Sequence, residues 1–77
     1  HDDRAVLCGP ECLRCKSSQG VTTVVVGNCG VSLAPTRMSS RPLPPLDLLG
    51  DESWWTYGSF GEYARALERS PPAVNAY

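Results

Sequence analysis

Residues 20–30 read Gly-Val-Thr-Thr-Val-Val-Val-Gly-Asn-Cys-Gly, and this stretch decides the fold class. Residues 21–26 are all Val or Thr, and a glycine lies at each end, which is the pattern of a β-strand. Apolar side chains at consecutive positions favour a strand that is covered on both faces, as in a parallel sheet. The sequence therefore predicts a strand over residues 21–26 and a sharp turn over residues 27–30.

Helical patterns lie on both sides of this strand. Pro10 suits the first turn of a short helix over residues 10–19, and Gly20 suits its C-terminal cap. A second helix is predicted over residues 59–69, because Ser59 is a natural N-cap and Glu62 completes a capping box. Its apolar face follows the spacing i, i+3, i+4, i+7 and consists of Phe60, Tyr63, Ala64 and Leu67.

The order of the predicted elements indicates an α/β fold. A helix, the strand over 21–26, a long loop, a helix and the start of a strand over 73–77 follow one another. Residues 34–58 are rich in Pro, Ser and Arg and are expected to form a long irregular loop. The aromatic residues near the end of this loop, Trp54, Trp55 and Tyr57, are expected to anchor it on the core.

Composition excludes two classes of partner. The 77 residues carry 7 Lys and Arg against 8 Asp and Glu, so the chain lacks the basic excess that nucleic-acid binding needs. No apolar run approaches the roughly 20 residues that cross a bilayer. The start of the chain is polar and charged, and no secretory leader is recognisable. We therefore expect no nucleic acid and no membrane as partners, and a cytoplasmic location.

The four cysteines, Cys8, Cys12, Cys15 and Cys29, allow more than one interpretation. Two disulfides are typical of a secreted mini-protein, whereas a cytoplasmic chain keeps its thiols free or bound to metal. Cys8, Cys12 and Cys15 have the spacing of the thiolates that hold a [4Fe–4S] cluster in radical-SAM enzymes. Cys12 and Cys15 alone resemble half of a zinc knuckle, with Cys8 or Cys29 as further ligands. A small stand-alone metal-binding module, with zinc or an iron–sulfur cluster, is therefore one hypothesis for the chain.

Four segments of the chain carry a resemblance to a known family. Residues 18–35 (SQGVTTVVVGNCGVSLAP), residues 44–50 (PPLDLLG) and residues 59–75 closely resemble the N-acyl-D-amino-acid deacylases, or D-aminoacylases, of the amidohydrolase superfamily. Residues 1–5 resemble the second half of the family's His-x-His-Asp-Asp motif. Residues 7–16 depart from the family pattern, because they are richer in Cys and slightly longer.

The resemblance implies a fold, a cofactor and a substrate. The family folds as a metal-dependent (β/α)8 barrel, of which this chain would supply about two of the eight βα units. It hydrolyses the amide bond of N-acyl-D-amino acids, so the expected partner is a small-molecule substrate. Zinc is the implied cofactor, with Cys29 and His1 as metal ligands, and no catalytic residue is expected within the chain. The family's other ligands and its catalytic Asp would follow Tyr77.

Two further expectations follow from this placement. The chain opens with His1 and its only methionine is Met38, so we expect a piece of a longer hydrolase that is inactive when isolated. Asp2 and Asp3 have two possible roles: carboxylates that orient a metal-bound histidine, or solvated charges at the start of the chain. Neither aspartate is assigned to the site at this stage.

Overall fold

A computed structural model describes all 77 residues and contains short elements joined by turns. Single 3-10 turns cover Ala5–Cys8, Asn28–Gly30, Leu46–Leu49 and Glu52–Trp54. The helices and strands, numbered in chain order, are α1 (Arg14–Ser17), β1 (Thr23–Val24), β2 (Thr36–Arg37), β3 (Thr56–Tyr57), α2 (Phe60–Arg69) and β4 (Asn75–Ala76). None of the helices is both long enough and apolar enough to span a membrane.

Strand β1 pairs in parallel with β4, and the two lie within the predicted strands 21–26 and 73–77, although each is only two residues long. Thr23 lies opposite Asn75, and the hydrogen bonds continue past the ladder to Val26, whose N–H donates to the carbonyl of Tyr77 at 2.8 Å. The predicted coverage of both faces is not found among these residues, because Val24 is buried whereas Val25 is 63% exposed. The described residues cover one face of the strand only.

Helix α2 confirms the second predicted helix. It lies between β3 and β4 in the chain. The Ser59 hydroxyl accepts a hydrogen bond from the Glu62 N–H at 3.2 Å, which is the expected N-cap. The Glu62 carboxylate departs from a simple capping box, since it accepts from the Gly58 N–H at 2.5 Å and from the Arg37 guanidinium at 2.8 Å. These donors hold the pKa of Glu62 below its ordinary value, with the Arg37 hydrogen bond as the largest cause.

The segment 34–58, expected to be irregular, is closed at its two ends by a short antiparallel ladder. Thr36 in β2 lies opposite Tyr57 in β3, and the Met38 N–H donates to the Trp55 carbonyl at 3.0 Å. Trp55 is 2% exposed and anchors the ladder in the core, while Tyr57 meets the ring of Tyr63 edge to face at 5.4 Å between centroids. The aromatic anchor predicted from the sequence is therefore present.

The first predicted helix is much shorter than the sequence suggests. Residues 10–13 form turns, and α1 covers only Arg14–Ser17. At its C-terminal end the helix stops before Ser18, and serine is a weak helix former. Leu13, just before α1, is nevertheless buried and joins the core. That core consists of Val6, Leu13, Val24, Val31, Leu33, Ala34, Leu49, Trp55, Tyr63 and Val74.

Gly50 is the position where a side chain would be tolerated least. Its φ is +118°, and a Cβ placed there would lie 2.7 Å from Cδ1 of Trp54 and 3.0 Å from a guanidinium nitrogen of Arg4. Trp54 is itself held by Arg4, whose guanidinium carbon lies 5.2 Å from the centre of the indole ring. If the indole ring of Trp54 moved aside for a side chain at residue 50, it would lose its contact with the Arg4 guanidinium.

We expect Gly50→Ala to destabilise the protein by more than Gly20→Ala in urea unfolding. Gly20 also has a positive φ, +88°, but nothing lies within 4 Å of its Cβ position. Gly20→Ala should therefore lower the free energy of unfolding only by the strain of a left-handed backbone, about 1–2 kcal/mol. Gly50→Ala adds overpacking of about 1–3 kcal/mol. Equal unfolding midpoints for the two variants would contradict this prediction and show that Trp54 moves away from residue 50 without a loss of stability.

Candidate metal centre

Cys29 lies on a tight turn that follows β1. Gly27, Cys29 and Gly30 have φ values of +75°, +61° and +72°, and Cys29 is the one non-glycine residue of the chain with a positive φ. A side chain in this region of φ strains the backbone, and such strain is concentrated at functional sites. The Cys29 thiol is free and exposed, so the turn presents it to solvent.

Side-chain and backbone hydrogen bonds fix the shape of this turn. The Asn28 amide donates to the carbonyl of Val25 at 2.9 Å, and the Val31 N–H donates to the Asn28 carbonyl at 3.0 Å. An amide side chain that bonds back to the preceding backbone replaces the ladder bonds lost where the strand ends. These two bonds hold the local conformation of the turn that carries Cys29.

His1 lies at the rim of an open cleft of about 430 Å³ beside the same turn. Asn28, the neighbour of Cys29, lines this cleft together with His1, although Cys29 itself does not. Asp2 and Lys16 form an ion pair across its wall. His1 and Asn28, the residue before Cys29, therefore border one cleft, and Cys29 itself lies outside its lining.

Asp3 is fully buried, which excludes the solvated charge that was one of the two roles considered for this residue. Its Oδ2 accepts a hydrogen bond from the Gly27 N–H at 3.1 Å, and its backbone carbonyl accepts from the Tyr63 hydroxyl at 2.6 Å. Its other carboxylate oxygen, Oδ1, is buried without a partner. Burial raises the pKa of Tyr63 well above its ordinary value, and the nearby Asp3 adds to the shift.

The cysteine cluster suggested by the spacing of Cys8, Cys12 and Cys15 does not form. The Cys8 thiol donates to the Arg4 carbonyl at 3.3 Å, and the Cys12 thiol donates to the Cys8 carbonyl at 3.8 Å. Partial burial, followed by the neighbouring Cys12 thiol, raises the pKa of Cys8 and so disfavours a thiolate. No three His, Cys, Asp or Glu side chains are arranged to hold a metal ion.

The side chains of Cys29 and His1 suit zinc chemistry but do not complete a site. An exposed thiol at Cys29 and an exposed imidazole at His1 are the sulfur and nitrogen ligands that zinc prefers. Zinc sites take three or four protein ligands, so these two residues supply only part of one.

Comparison with known proteins identifies the segment. No family model matches the chain. An N-acyl-D-aspartate deacylase of Alcaligenes xylosoxydans is 53% identical over 76 residues, which is 97% of this chain. A D-aminoacylase of the same organism is 47% identical over 76 residues, or 99% of this chain. The chain spans about 15% of the length of each of these relatives.

Solved structures agree with the curated relatives. The fold superposes with a TM-score of 0.88 on the crystal structure of a D-aminoacylase described as defining a novel subset of amidohydrolases. The same score is found for a D-aminoacylase structure concerned with the functional role of its binuclear metal centre. Each is 49% identical, and the superposition covers 99% of this chain and 16% of the solved one. The 77 residues are therefore homologous to one segment of the N-acyl-D-amino-acid deacylases, which are amidohydrolases.

Proposed function

We propose that the protein carrying these residues is a zinc-dependent hydrolase that cleaves the amide bond of N-acyl-D-amino acids. One observation carries the proposal: Cys29 is held exposed, in a strained left-handed conformation, on the turn after β1, within a segment 53% identical to an N-acyl-D-aspartate deacylase. In (β/α)8 barrels, active-site groups lie on the loops after the strands. The position of Cys29, on the turn after β1, supports the proposal.

In this proposal the 77 residues are a single incomplete piece of the barrel. Strands β1 and β4, with α2 between them, would be two neighbouring βα units, and residues 34–58 would be an excursion on the barrel surface. Parallel pairing of β1 with β4 supports this placement, since all barrel strands are parallel. The proposal includes a cytoplasmic location, which would keep the four thiols reduced.

Cys29 and His1 are the residues that would hold the metal. Cys29 would contribute its thiolate sulfur and His1 an imidazole nitrogen, and the remaining ligands would come from other parts of the protein. A bound zinc ion lowers the pKa of a water molecule towards about 7 and polarises a carbonyl group. In this proposal the 77 residues hold the Cys29 and His1 side chains in position and keep the turn over residues 27–30 rigid.

The test is hydrolysis by the purified natural protein that contains these residues. We expect release of free amino acid from N-acetyl-D-amino acids but not from their L-enantiomers, with activity lost on chelation and restored by zinc. The isolated 77 residues serve as a control and should show no turnover, since they gather no three-ligand metal site. Chelator-insensitive turnover, or equal turnover of both enantiomers, would contradict the proposal.

A further inference from the structure

Asp3 connects the two predicted metal ligands. Its position is two residues after His1, and its Oδ2 accepts from the N–H of Gly27, two residues before Cys29, at 3.1 Å. The hydrogen bond thus joins segments that lie 24 residues apart in the sequence. We propose that Asp3 is a positioning residue that fixes the Cys29 turn against the His1 segment, so that both donors can bind one metal ion. This inference rests on the proposed metal-dependent function.

The surroundings of Asp3 make the connection rigid. The residue is fully buried, so its carboxylate cannot exchange its bond to Gly27 for one to bulk water. Its backbone is held separately, because the Tyr63 hydroxyl of α2 donates to the Asp3 carbonyl at 2.6 Å. Outer residues that orient metal ligands through hydrogen bonds commonly contribute to metal affinity in this manner.

Stability alone does not account for a carboxylate at this position. Oδ1 of Asp3 is buried and has no hydrogen-bond partner, which is an unfavourable arrangement for a polar group. An apolar side chain would fill the same space without that cost. An apolar side chain could not accept the hydrogen bond that the Gly27 N–H donates to Asp3. This bond acts on the turn that presents Cys29.

The experiment is a cobalt titration of the metal-free natural protein that contains these residues. Cobalt(II) bound to a thiolate has a charge-transfer absorption, which reports Cys29 directly, and competition with a chelator gives the affinity. Asp3→Ala removes the acceptor. Asp3→Asn keeps an oxygen for the Gly27 N–H and replaces only Oδ1, which has no partner to lose. Val6→Ala, also fully buried and close in sequence, is the matched control for loss of stability.

We expect Asp3→Ala to weaken cobalt binding by roughly 10–100-fold and to change the thiolate band. Asp3→Asn should bind within about threefold of the unaltered protein, as should Val6→Ala, whatever their melting temperatures. If Asp3→Ala does not fold, Asp3→Asn decides, and a loss of affinity or of the band in that folded variant overturns the positioning role.

Two other outcomes separate this inference from the proposed function. Cobalt affinity of Asp3→Ala equal to that of Val6→Ala, with a normal Cys29 band in the unaltered protein, overturns the role of Asp3 alone. A titration of the unaltered protein with no thiolate band, or with a band that persists in Cys29→Ser, overturns the proposed metal site and with it the role of Asp3.

Discussion

Cys29→Ser is expected to abolish deacylase activity and to remove metal from the natural protein that contains these residues. Serine is close to cysteine in size and meets the same left-handed backbone, so the turn keeps its shape. A neutral hydroxyl is a far poorer zinc ligand than a thiolate. Loss of a direct ligand should exceed the roughly 10–100-fold effect of an outer partner, so we expect kcat/KM to fall by more than about 100-fold. Elemental analysis gives the zinc content, and a coupled amino-acid assay gives the rate.

Cys15→Ser provides the matched control for this substitution. Cys15 is also free and exposed, but it lies on α1, where no three ligands are gathered. We expect this variant to retain its zinc content and its kcat/KM. A Cys29→Ser protein with full zinc occupancy and unchanged activity would remove Cys29 from the site. Loss of zinc from both variants would instead point to a site shared by the cysteines.

Trp55→Ala should give the largest loss of stability among single substitutions in this segment. Trp55 is 2% exposed, and its backbone carbonyl accepts from Met38 in the ladder that closes residues 34–58. Truncation of a buried Trp costs about 3–5 kcal/mol. The loss is one of packing, because the indole N–H has no hydrogen-bond partner to lose. Urea unfolding followed by circular dichroism measures the change in free energy.

Trp54→Ala is the natural comparison, because the two tryptophans are adjacent in sequence. Trp54 is only half-buried at the edge of the core, and the Arg4 guanidinium lies 5.2 Å from its ring centre. Exposed cation–π contacts contribute about 0.5–1 kcal/mol, so the cost should be clearly smaller than for Trp55. Equal destabilisation by both substitutions would mean that the core does not depend on the burial of Trp55.

Local features of the fold were predictable from the sequence, and long-range ones were not. Helix α2 follows from its own residues, since Ser59 and the apolar spacing around Tyr63 act within one or two turns. The ladder between β2 and β3 joins residues near 36 to residues near 57, and the Pro-rich sequence between them carries no pairing signal. The length of α1 was overestimated, because residues 10–13 form turns that the sequence pattern did not distinguish from a first helical turn.

The candidate site shows the same division. Cys29 was identified through its resemblance to the deacylase family, and the glycines around it already indicated a sharp turn. The burial of Asp3 could not be read from the sequence, because a charged residue beside His1 and Asp2 has the pattern of a solvated chain start. It is buried because Tyr63, 60 residues away, and Gly27 fold over it. The role of Asp3 is therefore visible only in its tertiary contacts.

The parallel register of β1 and β4 also sets the order of events during synthesis. Thr23 pairs with Asn75, so the valine-rich strand leaves the ribosome about 50 residues before its partner. At roughly 5–20 residues per second, that interval lasts about 3–10 s. During it the run of residues 21–26 has neither its ladder nor its cover, and such β-rich apolar segments associate readily with other chains.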